Sequence, residues 1–129
     1  MKKYYICEKC GNLVEMVHAS GVTPVCCGQK MTYLEPGTVE ASHEKHIPVV
    51  TVDGTAVHVS VGSVVHPMSN EHSILWVSLE TNKGSYRKNL SPDEAPVADF
   101  VLSEGESVTA VYAYCNLHGL WKSEIEEVK

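Results

Sequence analysis

The chain has 129 residues, with 16 Asp and Glu against 10 Lys and Arg for a net charge of -6, and 43% of it is hydrophobic. That length and apolar content suit one ordinary domain, or a small one joined to a medium one, and exclude intrinsic disorder. The acidic balance argues against nucleic-acid binding, which needs a basic face, and no uninterrupted apolar run approaches the ~20 residues of a bilayer span.

In chain order, the basic start Met1-Lys2-Lys3-Tyr4-Tyr5-Ile6 runs directly into Cys7, Glu8 and Lys9. It lacks an apolar stretch of signal-peptide length, so a reducing cytoplasm is the expected location. There, cysteines serve as metal ligands or redox groups more often than in disulfides, and five of them pair poorly. Cys7-Glu8-Lys9-Cys10 is a C-x-x-C knuckle that aims two sulfurs at one ion, and Gly11 suits the tight turn after it. Cys26 and Cys27 complete four thiolates, a soft tetrahedral set for zinc or iron. Adjacent cysteines are unusual in such a set, because neighbouring side chains reach one ion only from a distorted backbone. Taken alone, this site needs no more than a structural role.

Glu35-Pro36-Gly37-Thr38 is turn-rich, which places a domain boundary near residue 37 and divides the chain into 1–37 and 38–129. A unit of roughly 37 residues falls below the ~40 at which a core alone suffices, and so requires a staple such as a metal. The remainder is expected to be β. Val57, Val59 and Val61 alternate with His58 and Ser60, and Leu75, Val77 and Leu79 are expected to share a face in the same way. Further strands are expected over 47–52, 97–102, 108–114 and 121–128, separated by turns such as Asp53-Gly54, Asn82-Lys83-Gly84 and Glu104-Gly105-Glu106. Short strands at this spacing predict an immunoglobulin-like antiparallel β-sandwich, although the Cys-Trp-Cys signature of antibody domains is absent.

Histidines gather in segments expected to be loops: 42–48 with His43 and His46, 66–72 with His66 and His72, and 115–119 with Cys115 and His118. Loops at one end of a sandwich can converge. Singly, each histidine reads as a surface or packing group, and His18, His43 and His58 keep that reading. Cys115 alone could equally be a buried thiol. The motif Cys115-Asn116-Leu117-His118-Gly119 stands out, with two candidate ligands three residues apart before a glycine turn.

The C-x-x-C with its adjacent cysteine pair, Glu44-Lys45-His46-x-Pro48, His66-Pro67, His72 and Cys115-Asn116-x-His118-Gly119 occur together and in order. In this combination the sequence resembles the desulfoferrodoxin family of two-domain superoxide reductases. The resemblance implies a desulforedoxin- or rubredoxin-like domain (1–37) holding iron by Cys7, Cys10, Cys26 and Cys27. It also implies an immunoglobulin-like domain (38–129) holding a second iron by His46, His66, His72 and His118 in a plane, with Cys115 on the axis. Such a site leaves the position opposite sulfur open, and imidazole nitrogen suits iron. The implied activity is one-electron reduction of superoxide to hydrogen peroxide, with a rubredoxin-like donor restoring the iron and a homodimer as the assembly. By the same resemblance Lys45 supplies positive potential against the field of the -6 chain, and Glu44 is the sixth ligand of the ferric state. Two other readings stay open: a non-catalytic iron or zinc electron carrier using the four-cysteine site, and a structural zinc module on a β-sandwich adaptor.

Overall fold

The computed structural model describes residues 2–37, 43–62, 64 and 66–125. The chain divides into two compact units, Met1–Glu35 and Pro36–Lys129. In the first, β1 (Tyr4–Ile6) is the centre of a three-stranded antiparallel sheet between β2 (Leu13–Glu15) and β5 (Thr32–Tyr33). A second hairpin pairs β3 (Val25–Cys26) with β4 (Gln29–Lys30). Strands of two or three residues bury little. Among the described residues of this unit only Tyr4, Cys7 and Met31 are buried apolar side chains, too few to hold a fold without a further constraint.

The second unit opens with a one-turn helix, α1 (His43–His46), followed by seven strands among the described residues. They are β6 (Pro48–Asp53), β7 (Ala56–Val61), β8 (Ile74–Thr81), β9 (Ser85–Asn89), β10 (Val97–Val101), β11 (Val108–Cys115) and β12 (Gly119–Glu124). One antiparallel sheet runs β10-β7-β6 and the other β12-β11-β8-β9, the three-and-four arrangement of an immunoglobulin-like sandwich. The core between them is supplied by alternate residues: Val57, Val59 and Val61 from β7, Val77 and Leu79 from β8, Ala98 and Phe100 from β10, and Val111, Ala113 and Cys115 from β11. Each large apolar side chain buried there contributes about 1.5–3 kcal/mol, so this unit can fold on its own core. No helix among the described residues is long and apolar enough to cross a membrane.

Three local features depart from the expected pattern. Leu75 does not share the core face with Val77 and Leu79; it is 39% exposed, and Ile74 is fully buried in its place. The cause is a β-bulge: Tyr114 pairs with Trp76, but Cys115 pairs with Ile74, so Leu75 is an extra residue and the alternation flips across it. The stretch before Pro48, expected as loop, holds α1. Strand β9 was not expected at all, since Ser85-Tyr86-Arg87-Lys88-Asn89 carries no apolar alternation; it is a polar edge strand, stabilised by pairing with β8.

Candidate metal centres

Cys7 follows β1, and a tight turn closes behind it: the Gly11 N–H donates to the Cys7 carbonyl at 2.9 Å, with Gly11 at φ 82°. The Cys10 N–H points at the Cys7 sulfur, 3.5 Å away. The second cysteine pair sits on the β3–β4 hairpin. Cys26 pairs with Gln29, so Cys27 and Gly28 form a two-residue turn, and both have positive φ, 53° and 75°. Such turns ordinarily place Asn-Gly or Gly-Gly there. Cys27 is the only non-glycine with positive φ among the described residues, the backbone distortion expected of adjacent cysteines sharing one site. It costs about 1–2 kcal/mol and turns the second sulfur toward the first three.

All four sulfurs lie within 4.8 Å of one another. The Cys10–Cys26 separation is 3.6 Å, close to the ~3.8 Å edge of a tetrahedron with ~2.3 Å metal–sulfur bonds. Asn12 donates its amide to the Cys26 sulfur at 3.6 Å. Crowding spreads the thiol acidities. The Cys10 N–H pulls Cys7 down to about 6, whereas the neighbouring sulfurs of Cys10 and Cys7 push Cys27 up to about 12. Four thiolates this close repel unless a cation sits among them, so the donor set fits a soft metal ion.

In the second unit α1 ends at His46, the loop after β7 carries His66 and His72, and the β11–β12 turn carries Cys115 and His118. Cys115 ends β11 opposite Gly119, whose φ of 80° closes the turn. The β11 alternation through Val111 and Ala113 delivers Cys115 inward, where it is fully buried, and the bulge at Leu75 sets Ile74 opposite it. Burial pushes its thiol up, while the backbone N–H groups of Leu117 and His118 work the other way.

The imidazoles form a square. Ring centroids are 4.6 Å apart for His46–His66, 4.7 Å for His66–His72, 5.0 Å for His72–His118 and 4.9 Å for His118–His46, and each neighbouring pair is nearly perpendicular. His46 and His72 face each other across it at 6.4 Å. His46 Nε2 lies 3.1 Å from both His66 Nε2 and His118 Nδ1. Two ligands at right angles with bonds of about 2.1 Å sit about 3.0 Å apart. The His66 Nδ1–H donates to the Pro67 carbonyl at 2.7 Å, leaving the Nε2 lone pair directed inward. Burial lowers His66 to about 4 and also lowers His72, so both favour the neutral form a metal requires. His72 Nε2 is buried with no hydrogen-bond partner. An orphan of that kind costs about 1–3 kcal/mol, and a cation at the centre of the square would satisfy it. His46, His66, His72 and Cys115 present donor atoms within 4.8 Å of one another, and His118 Nδ1 is 3.9 Å from the Cys115 sulfur.

The two remaining candidates flank this set on α1. Lys45 is exposed, and after burial and His118 its charge is a further cause of the lowered His72 pKa. Glu44 lies on the same turn, but its side chain falls outside the described residues, as does that of His43. His18 is exposed, and His58 pairs with Asp99 at 2.6 Å on the sandwich surface. Trp121 went unnoticed as a site residue. It stacks on His46 at 4.8 Å with 26° between planes, and donates its Nε1–H to the His118 carbonyl at 3.1 Å. Its place two residues beyond Gly119 was the only available sign.

Two family models match the chain: one described as Desulfoferrodoxin, over residues 38–124, and one described as Desulfoferrodoxin, N-terminal domain, over residues 1–34. The desulfoferrodoxin of Syntrophotalea carbinolica is 48% identical over 120 residues, covering 93% of this chain and 94% of the relative. That of Nitratidesulfovibrio vulgaris is 44% identical with the same coverage. Among solved structures, the superoxide reductase from Treponema pallidum superposes with a TM-score of 0.81 at 40% identity, covering 96% of this chain and 99% of that one. A superoxide reductase (1Fe-SOR) from Giardia intestinalis has a TM-score of 0.57 at 30% identity and covers 65% of this chain.

Proposed function

The chain belongs to the desulfoferrodoxin family, and on that premise we propose that it is a superoxide reductase with an iron ion at each of the two donor sets. The observation that carries this reading is the square of four imidazoles with a buried thiol beside it and an unpartnered nitrogen facing in. A ferrous ion bound there supplies the single electron that, with two protons from solvent, takes superoxide to hydrogen peroxide. The residues do the rest. His46, His66, His72 and His118 would hold the ion, with His66 and His72 kept toward the neutral form by burial and His66 also by the bond to Pro67. Cys115 would supply the thiolate ligand, which the backbone N–H groups of Leu117 and His118 stabilise. Lys45 attracts the anionic substrate against the overall charge of -6, and Glu44 would offer a further carboxylate ligand to the ferric ion.

Cys7, Cys10, Cys26 and Cys27 hold the other iron in the desulforedoxin-like domain (1–37), and the sandwich domain (38–129) carries the reaction. A small rubredoxin-like protein is the electron donor, in a cytoplasmic homodimer. Mixing the reduced, iron-loaded protein with superoxide under anaerobic conditions tests this reading. Peroxide should form without matching oxygen. Stoichiometric oxygen would mean dismutation and overturn the proposal, and one zinc per chain on metal analysis would favour a structural module instead.

A further inference from the structure

The inward His72 Nε2 is buried with no hydrogen-bond partner, and what the structure holds firmly is the backbone on either side of that ring. The two peptide planes flanking it are held on both sides. In the first, the His72 N–H donates to Ser69 Oγ at 3.2 Å and the Glu71 carbonyl accepts from Asn116 Nδ2 at 3.0 Å. In the second, the His72 carbonyl accepts from the Ser69 N–H at 2.9 Å and the Ser73 N–H donates to Asn116 Oδ1 at 3.0 Å. Ser69 belongs to the same loop and can only shape it. Asn116 lies between Cys115 and His118, and its own N–H donates to the Ser73 carbonyl at 3.2 Å. One side-chain amide therefore ties the loop that carries His72 to the turn that carries the sulfur and the fourth imidazole.

We propose that Asn116 is a positioning residue that sets His72 in register with Cys115 and His118 by bonding the peptide groups on either side of it. An asparagine suits the task because it needs one donor and one acceptor on a short, planar group. Aspartate supplies only the acceptor, and would set a carboxylate oxygen against the Glu71 carbonyl. Asn116 is exposed, so truncating it leaves no cavity in the core, although it frees the N–H of buried Ser73. Partners that orient a metal ligand in this way are typically worth 10–100-fold in metal affinity. The inference rests on the reading of this cluster as a metal site, but not on which reaction occurs there.

The test is titration of metal-depleted full-length protein with Co(II), following the thiolate band of the second site and that of the four-cysteine site separately. Asn116→Ala should weaken the second site about 10-fold and leave the first unchanged. Asn116→Asp should weaken it too, and serves if the alanine variant folds poorly. A His72→Ala background is the deciding control. If Asn116 acts through His72, Asn116→Ala costs nothing further there. An equal loss in both backgrounds would mean that it merely supports the turn, and an unchanged affinity would show no role; either result overturns the proposal. Failure of the metal-site reading would look different, since the unmutated protein itself would then show no second Co(II) band.

Discussion

The two donor sets in this chain are built in opposite ways. The four cysteines stand on or beside strands of two or three residues, with Cys10 and Cys27 exposed and, among the described residues, only Tyr4 and Met31 buried as apolar side chains alongside Cys7. The histidine and cysteine set stands at one end of a sandwich whose strands run five to eight residues around a core of thirteen buried residues. In the first unit the donors outweigh the core behind them; in the second a core already in place brings the donors together. Strain follows the same division. The first unit accepts a left-handed Cys27 to bring its last sulfur in, whereas the second brings Cys115 in by the ordinary alternation of β11.

The largest expected effect breaks the contrast at its root. Structural zinc in small domains contributes about 10–16 kcal/mol to folding, so stripping the four-cysteine metal, or Cys7→Ser, should unfold Met1–Glu35 while the sandwich stays folded. Hydrogen exchange read residue by residue would show protection lost in 2–35 alone. Protection retained there would mean that the small unit does not depend on its metal. Next in size, Cys115→Ser should abolish the thiolate-to-metal absorption of the second site and most peroxide formation, with the sandwich still folded. An unchanged spectrum would show that this sulfur is not a ligand.

A smaller effect sharpens the idea of a preformed site. Burial holds His66 at about 4 in the folded chain, against an ordinary 6.5. Between those values the unfolded chain binds a proton that the folded chain does not, so stability of the metal-depleted sandwich should fall as pH drops from about 6.5 toward 4. His72 is shifted in the same direction and adds to the slope. Above about 6.5 His66 is neutral in both states and its contribution is flat. Urea unfolding of metal-depleted protein at several pH values measures this. A midpoint constant across the window would mean that the imidazoles protonate in place as easily as in the unfolded chain.

The same contrast explains what could be read from sequence. Val57, Val59 and Val61 announce a half-buried strand because strand periodicity is local, and C-x-x-C announces a metal knuckle for the same reason. His46, His66, His72 and His118 are legible as a set only through the resemblance of their combined motifs to one family, since each alone reads as a surface group. What sequence could not convey depends on contacts made across the fold. Leu75 has the right parity for the core, and only pairing with β11 reveals it as the bulged residue. Trp121 looks like a strand residue until its stack on His46 is seen. Asn116 looks like turn filler until the loop that it bonds is brought alongside.

The smallest effect concerns the one charge that distinguishes the second site's surroundings from the rest of an acidic molecule. Lys45 is exposed on the turn that ends at His46, and its charge is felt at His72. An exposed charge is screened over about 8 Å at physiological ionic strength, so Lys45 can act on an approaching anion only over the last few water layers. On the proposed function, its part is in the encounter and not in holding the ligands. Lys45→Ala should lower the second-order rate with superoxide a few-fold, leave metal affinity and the thiolate band unchanged, and flatten the dependence of that rate on salt. Lys45→Arg should keep both the rate and its salt slope, because the charge is retained. If instead the alanine variant changed the band, Lys45 would be part of the preformed cluster, and the separation between a site shaped by the fold and a field added at its rim would be lost.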